Sequence, residues 1–279
     1  MLPNVKEFIR PKSLKEATVI LKKHKGAYVP LAGSTTLGES ENPRITGLVD
    51  LSGLKLDYIS SSGGVLSIGA MTTLEEIVED KRVSKYASGV INAASSSVGK
   101  ITNRNLITAG GNIVQLHPWS ILPVVCLALD AQVVYANPAK KTAAVEEFLA
   151  APRKILSNSG IVTEIKFPKK FAPASARFEK FSLTENDYPI VSVCVAAILK
   201  GGRIETVRIS CGALALAPQR FKSSEKMLEG QIPDGKLLSK AADAALADAV
   251  IGNDIRVSKE YKKRILSKLI LSNLREILK

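Results

Sequence analysis

Val98–Tyr135 reads VGKITNRNLITAGGNIVQLHPWSILPVVCLALDAQVVY, and at its centre Thr108-Ala109-Gly110-Gly111-Asn112 gathers two glycines with small and polar side chains. A polar Asn103-Arg104-Asn105 turn precedes this segment and an apolar run follows it. Glycine has no Cβ to hold a ligand away and reaches positive φ at little steric cost, so such a loop can present backbone N–H groups to an anion. A nucleotide pyrophosphate is the anion this predicts, against the commoner use of a Gly-Gly pair as a plain turn. A second loop of like composition, Pro30-Leu31-Ala32-Gly33-Ser34-Thr35-Thr36-Leu37-Gly38, lies nearer the N-terminus. Two small-residue, hydroxyl-rich loops could clamp one diphosphate from both sides.

The rest of the chain narrows the function classes. With 279 residues, 46% apolar and 23% charged, it is globular and long enough for two or three compact units. The longest uncharged apolar runs, Ile121–Leu129 and Pro189–Leu199, are too short to cross a bilayer. The opening MLPNVKEFIRP carries charge where a signal peptide needs its apolar region, so a cytoplasmic location and no membrane insertion are expected. Cys126, Cys194 and Cys211 are widely spaced with no CxxC pair, and His24 and His117 are the two histidines. No iron–sulfur cluster, zinc or other metal site is therefore expected within the chain. The formal charge of +13 invites a nucleic-acid reading, but the basic residues are dispersed and aromatics make up 5%. A solvated basic surface, or one facing an acidic partner subunit, accounts for the charge better than nucleic acid.

Taken in order, Ser13–His24 reads as an amphipathic helix with Ser13 as N-cap and Glu16 three residues on. Strands are predicted at Ala27–Leu31, Ile45–Leu51, Leu56–Ser60 and Val65–Gly69. Thr72 or Thr73 offers a capping box for a short helix. Further helices are predicted over Ser84–Val98 and Pro118–Ala128, a strand over Ala131–Ala136, and a polar connection with a short helix over Lys140–Phe148. Ile161–Phe167 is predicted as a strand, and Lys169–Ser175 as a linker. Beyond it come strands at Arg177–Leu183, Ile190–Leu199 and Thr206–Leu214, with Gly201-Gly202 as a hairpin turn. Helices close the chain at Lys222–Leu228, Leu237–Ala249 and Ser258–Ile277.

Five segments in this order resemble a known family, the FAD-binding medium subunits of molybdenum hydroxylases, akin to carbon monoxide dehydrogenase and xanthine dehydrogenase. They are Ser13-Leu14-Lys15-Glu16-Ala17, Ala32–Leu37, Ile68–Ile77, Arg104-Asn105 with Thr108–Asn112, and Asn253–Ser258 followed by Glu260-Tyr261. The resemblance runs from end to end. It implies an α+β fold: a PCMH-type FAD-binding region over 1–170, in subdomains of about 1–60 and 61–170. A carbon monoxide dehydrogenase flavoprotein-like domain with a three-stranded antiparallel sheet and helices follows over 175–279.

It also implies an extended FAD between the two N-terminal subdomains. The diphosphate would lie against Leu31, Ala32, Gly33, Ser34, Thr35, Thr36 and Leu37 on one side and Arg104, Thr108, Ala109, Gly110, Gly111 and Asn112 on the other. Tyr188 is placed by the likeness near the isoalloxazine, where it could equally be an interface aromatic. Lys180, Ile161 and Val162 would line the ring and adenine regions. Three departures stand out. Ser34 replaces the usual second glycine. Ile121 replaces an Asp, so that a hydrogen-bond acceptor for the flavin or ribityl chain is missing, replaced or shifted to Ser120. Leu183-Thr184-Glu185-Asn186 replaces basic and glycine residues before Asp187-Tyr188.

His117 reads as a packing or backbone-bonding histidine, Trp119 as a core or subunit-interface residue, and Cys126 as a small core residue. The basic face of the last helix, with Lys262, Lys263, Arg264 and Lys268, reads as solvated. On this resemblance the chain contributes FAD and no catalytic side chain. Molybdopterin would sit on a large partner subunit and [2Fe-2S] clusters on a small one, with NAD, a quinone, a ferredoxin or oxygen as acceptor. The alternatives are an FAD-free scaffold module with the same fold and a stand-alone flavin reductase.

Overall fold

Three sheets, each with its own helical cover, make up the computed structural model, which describes residues 2–157 and 159–279. The first unit holds β1 (Glu7–Ile9), α1 (Leu14–His24), β2 (Tyr28–Leu31) and β3 (Gly47–Asp50), its strands parallel in the order β1-β3-β2. Ser13 caps α1 by accepting from the Glu16 amide at 3.2 Å, which satisfies a donor the helix itself cannot. Ala17 and Leu21 on the inner face of α1 bury against Tyr28, Val49 and Leu51.

The second unit begins with the hairpin β4 (Ile59–Ser62) and β5 (Val65–Gly69), followed by helices α2 (Leu74–Glu79), α3 (Lys81–Lys85), α4 (Val90–Ser96), α5 (Ile101–Arg104), α6 (Ala109–Gln115) and α7 (Leu122–Ala128). Then come β6 (Gln132–Ala136), β7 (Lys140–Ala144), α8 (Val145–Ala150), α9 (Pro152–Leu156) and β8 (Ile161–Phe167). The strands form an antiparallel sheet ordered β4-β5-β8-β6-β7. α2 carries the capping box: Thr73 Oγ1 accepts from the Glu76 amide while the Glu76 carboxylate accepts from the Thr73 amide.

The third unit is a four-stranded antiparallel sheet, β9 (Ser175–Phe181), β10 (Val191–Lys200), β11 (Arg203–Gly212) and β12 (Gln219–Arg220), with α10 (Lys222–Leu228), α11 (Gly235–Asp248) and α12 (Lys259–Ile277). β10 explains the unbroken apolar run in this part of the sequence. Val191, Val193, Val195 and Ala197 face the core shared with α11 and α12, whereas Cys194, Ala196 and Ile198 face the core of the second unit. A strand buried on both sides has no polar face to show.

The elements depart from the sequence expectations at definite places. The predicted helix over Ser84–Val98 is broken, because Ala87, Ser88 and Gly89 take positive φ and are tied to a neighbouring segment through Ala87 N–H to Ala172 O and Ser88 Oγ to Ala174 O. The helix predicted from Pro118 starts only at Leu122, whose amide donates to Asn112 Oδ1 at 3.1 Å. Lys140–Ala144 is a strand, and a two-residue fourth strand, Gln219–Arg220, extends the predicted three-stranded sheet. In the segment read as a linker, Phe171 is fully buried. The Asn103-Arg104-Asn105 turn belongs to a short helix, α5. Among the described residues, no helix is long and apolar enough to cross a membrane.

Candidate functional site

β2 ends at Leu31 and releases the chain into the Ala32–Leu37 loop at the edge of a parallel sheet, where side chains of the following loop can reach a ligand. Among the described residues, the amides of Ala32, Gly33, Ser34, Thr35, Thr36 and Leu37 donate to no protein acceptor. Backbone donors are ordinarily paired, and a run of free ones in a bent loop is the chemistry of an anion cradle. Gly38 N–H closes the loop onto Ser34 O at 2.8 Å. Ser34 sits at φ 61°, the left-handed region that favours glycine. Gly33 is required for a different reason: a Cβ there would lie 1.5 Å from Leu106 O. That glycine presses the first loop against the segment leading into α6.

The Gly110-Gly111 segment differs from the bare loop read in the sequence, because it opens a helix. Thr108 is the N-cap of α6, its hydroxyl accepting from Gly111 N–H at 3.2 Å. Ala109 N–H donates to Thr72 O and Gly110 N–H to Ala70 O, both at 2.8 Å, and Asn112 N–H to Thr108 O at 2.9 Å. Among the described residues, the Thr108 amide donates to no protein acceptor, and the Gly111 amide makes only its long capping bond. A Cβ on Gly110 would meet Ala70 Cβ at 2.8 Å, whereas one on Gly111 would meet nothing but the Thr108 hydroxyl. Gly110 is thus a packing glycine and Gly111 borders open space.

Two other residues of this set are committed to the protein itself. The Asn112 side-chain oxygen caps α7 through Leu122 N–H. Arg104, its side chain 15% exposed, donates Nε to Glu75 and Nη1 to the carbonyls of Ser96, Val98 and Gly99. Val162 is buried on β8 opposite Tyr135, Ser120 is buried with its amide on His117 O, and Ile121 belongs to the core. Lys180 Nζ reaches the carbonyls of Ser97, Glu185 and Asp187, bracing the loop before Tyr188. Burial pushes its pKa down, partly opposed by the charges of Glu185 and Asp187.

A threonine hydroxyl and three adjoining rings link the three units. Thr36 Oγ1 lies 3.1 Å from His117 Nε2. His117 stacks on Trp119 at 4.8 Å and 4°, and Trp119 meets Tyr188 at 4.7 Å and 34°. Trp119 is 39% and Tyr188 61% exposed. In the sequence His117 reads as a packing or backbone-bonding residue and Trp119 as a core or subunit-interface residue; the signal that could have joined them to the site is the His-Pro-Trp string shortly after the second glycine segment.

A cleft of about 470 Å3, lined by residues including Asp57, Tyr58, Glu76 and Arg82, contains none of these residues. Among the described residues, no cluster of three or more His, Cys, Asp or Glu could hold a metal ion. Cys126, Cys194 and Cys211 are buried, and burial pushes each thiol well above its ordinary range.

Residues 4–170 match the family described as the FAD binding domain in molybdopterin dehydrogenase. The chain belongs to that family. The remainder of this FAD-binding oxidoreductase component, residues 176–277, matches the CO dehydrogenase flavoprotein C-terminal domain. Over 99% of its length it is 27% identical to the whole of the glyceraldehyde dehydrogenase medium chain of Sulfolobus acidocaldarius. It is 28% identical to the caffeine dehydrogenase subunit beta of a Pseudomonas species, over 83% of this chain and 80% of that one. Its fold superposes with a TM-score of 0.91 on carbon monoxide dehydrogenase from Hydrogenophaga pseudoflava, at 24% identity, covering 99% of this chain and 98% of that one. The donor set of the first loop, six amides and three hydroxyls with no carboxylate, fits the diphosphate of FAD.

Proposed function

We propose that this chain is the electron-exit subunit of a cytoplasmic molybdenum hydroxylase complex, taking electrons from [2Fe-2S] clusters on a small partner subunit. A large molybdopterin-binding partner would hydroxylate the substrate, and NAD, a quinone, a ferredoxin or oxygen would receive the electrons. The chemistry that bound FAD supplies is acceptance of electrons one at a time and their release singly or as a hydride. The chain's own residues bind and orient. Ala32–Leu37 amides with the Ser34, Thr35 and Thr36 hydroxyls hold the diphosphate, and Gly111 lets it approach α6. Tyr188 offers a ring face to the isoalloxazine, and Val162, Ser120 and Lys180 shape the surrounding wall. No side-chain acid or base is needed, because the redox chemistry resides in the flavin.

The run of unpaired amides at Ala32–Leu37 is the observation that carries this reading. The visible absorption spectrum of the purified chain, with the released cofactor identified and Gly111→Val beside it, tests it. Stoichiometric FAD that is lost in the variant supports the clamp; a colourless protein that also fails to take up added FAD overturns it. That second outcome would favour an FAD-free scaffold, a reading helped by Ile121, a buried core residue where the family resemblance implies an Asp.

A further inference from the structure

We infer that Trp119 is a ring-binding residue of this site, the surface against which the isoalloxazine end of the dinucleotide stacks, with His117 and Thr36 as its positioning residues. The inference rests on the reading above, in which Tyr188 faces the flavin ring. Trp119 packs directly on Tyr188, with centroids 4.7 Å apart, so the two rings form one continuous exposed aromatic surface and a planar ligand laid over the open part of Tyr188 borders the indole.

The indole is prepared for such contact. His117 lies parallel to it within 4°, and the imidazole is itself held by Thr36 of the cradle loop. The orientation of the ring is thus linked to the segment that would hold the phosphates. On the other hand, the 34° tilt between Trp119 and Tyr188 leaves that pair splayed, and both rings keep much of their surface in water. The neighbours Ser120 and Ile121 are buried, so the local core is filled without the indole. A large aromatic ring held in place yet left open to solvent is suited to burying a flat ligand face.

Because Trp119 is the sole tryptophan, its fluorescence reports the contact directly. The full chain, freed of bound nucleotide, is titrated with FAD and separately with ADP, and occupancy is measured by equilibrium dialysis. FAD at saturation should quench more than about half of the emission and ADP very little. Trp119→Ala should weaken FAD affinity about tenfold, Trp119→Phe within about threefold, in keeping with the usual strength of ring stacking. His117→Ala, which leaves the indole but removes its support, should fall between them and still be quenched by FAD. Dialysis showing bound FAD without quenching, equal quenching by ADP, or unchanged affinity in Trp119→Ala would overturn the assignment and leave the flavin-subunit reading standing. Failure of the unaltered chain to bind FAD would overturn both.

Discussion

The Arg256 guanidinium donates to the carbonyl of Tyr188 at 3.0 Å across 68 positions of sequence. Its second nitrogen reaches Pro189 O at 3.1 Å, and the Asp254 carboxylate holds the group from behind at 2.9 to 3.0 Å. Lys262 departs from the solvated face expected of this helix: it is 3% exposed and donates to the same carboxylate at 3.0 Å and to Ala213 O at 2.8 Å. Asp254→Asn would leave a buried ammonium with no anion, a change that costs about 3 kcal/mol. Urea unfolding should show that loss with an unchanged slope, and Asp254→Asn/Lys262→Met should regain most of it. A loss below about 1 kcal/mol would mean that the pair is not coupled to folding.

The same group sets an acid limit. The Arg256 hydrogen bond, aided by Lys262, holds the Asp254 carboxyl well below its ordinary 3.8. A depressed folded pKa gives stability that is complete above the unfolded value and declines as pH falls below it. Burial and the nearby Glu164 carboxylate both push Tyr58 up, from 10.0 to about 12. Its contribution is complete below pH 10 and is lost as pH climbs toward 12. Thermal melts across pH should therefore fall off at both ends; Asp254→Asn should flatten the acid side and Tyr58→Phe the alkaline side.

Three glycines should respond differently to alanine. Gly33→Ala forces a Cβ to 1.5 Å from Leu106 O, a backbone atom that cannot yield without moving the chain. A loss of more than about 3 kcal/mol, or no folded protein, is the expected result. Gly110→Ala meets Ala70 at 2.8 Å and should cost less, about 1 to 3 kcal/mol. Gly111→Ala puts a Cβ 2.9 Å from the Thr108 hydroxyl, which must turn from its capping bond, so a loss of about 1 kcal/mol is expected alongside weaker nucleotide uptake. Circular dichroism with FAD dialysis separates the two effects.

Ser34→Gly removes a side chain from the left-handed region at φ 61°. Relief of about 1 kcal/mol is expected, reduced by the added freedom of the unfolded chain. Ser34→Ala keeps the strain and should not stabilise. A urea midpoint that moves up only for glycine would identify backbone strain as the cause.

Arg104→Ala strips the partner from Glu75, itself buried, and releases the carbonyls of Ser96, Val98 and Gly99. About 3 kcal/mol of stability should go, by the same buried-pair argument. If the guanidinium serves only this structural role, FAD affinity measured on the folded fraction at low temperature will match that of the unaltered chain. A large loss of affinity in folded protein would instead give Arg104 a part in binding.

Much of the architecture was legible because the chain signals it locally. Ser13, Thr73 and Ser258 each cap the helix that follows them, and the two-sided burial of β10 is written as one apolar run. What escaped depended on distant partners. Ala87 and Ser88 break a helix-like pattern because Ala172 and Ala174, far along the chain, receive their hydrogen bonds. Gln219–Arg220 pairs over two residues, too short for any periodicity. At the candidate site, glycine content pointed to both loops, yet only the geometry separates Gly33 and Gly110, which make room for protein, from Gly111, which borders open space. Likewise no spacing rule tells that Arg104 and Asn112 spend their side chains on Glu75 and Leu122.

β10 gives one face to each of two cores, and this bears on how the molecule can be divided. The matched segments 4–170 and 176–277 are units of heredity more than units of stability. A fragment beginning near residue 175 would carry Cys194, Ala196 and Ile198 into water on an open sheet, while the fragment before it would lose the surface that covers α4 and α7. Each half is the other's solvent shield. Exchange of one segment between relatives would therefore succeed only where the facing residues travel with it.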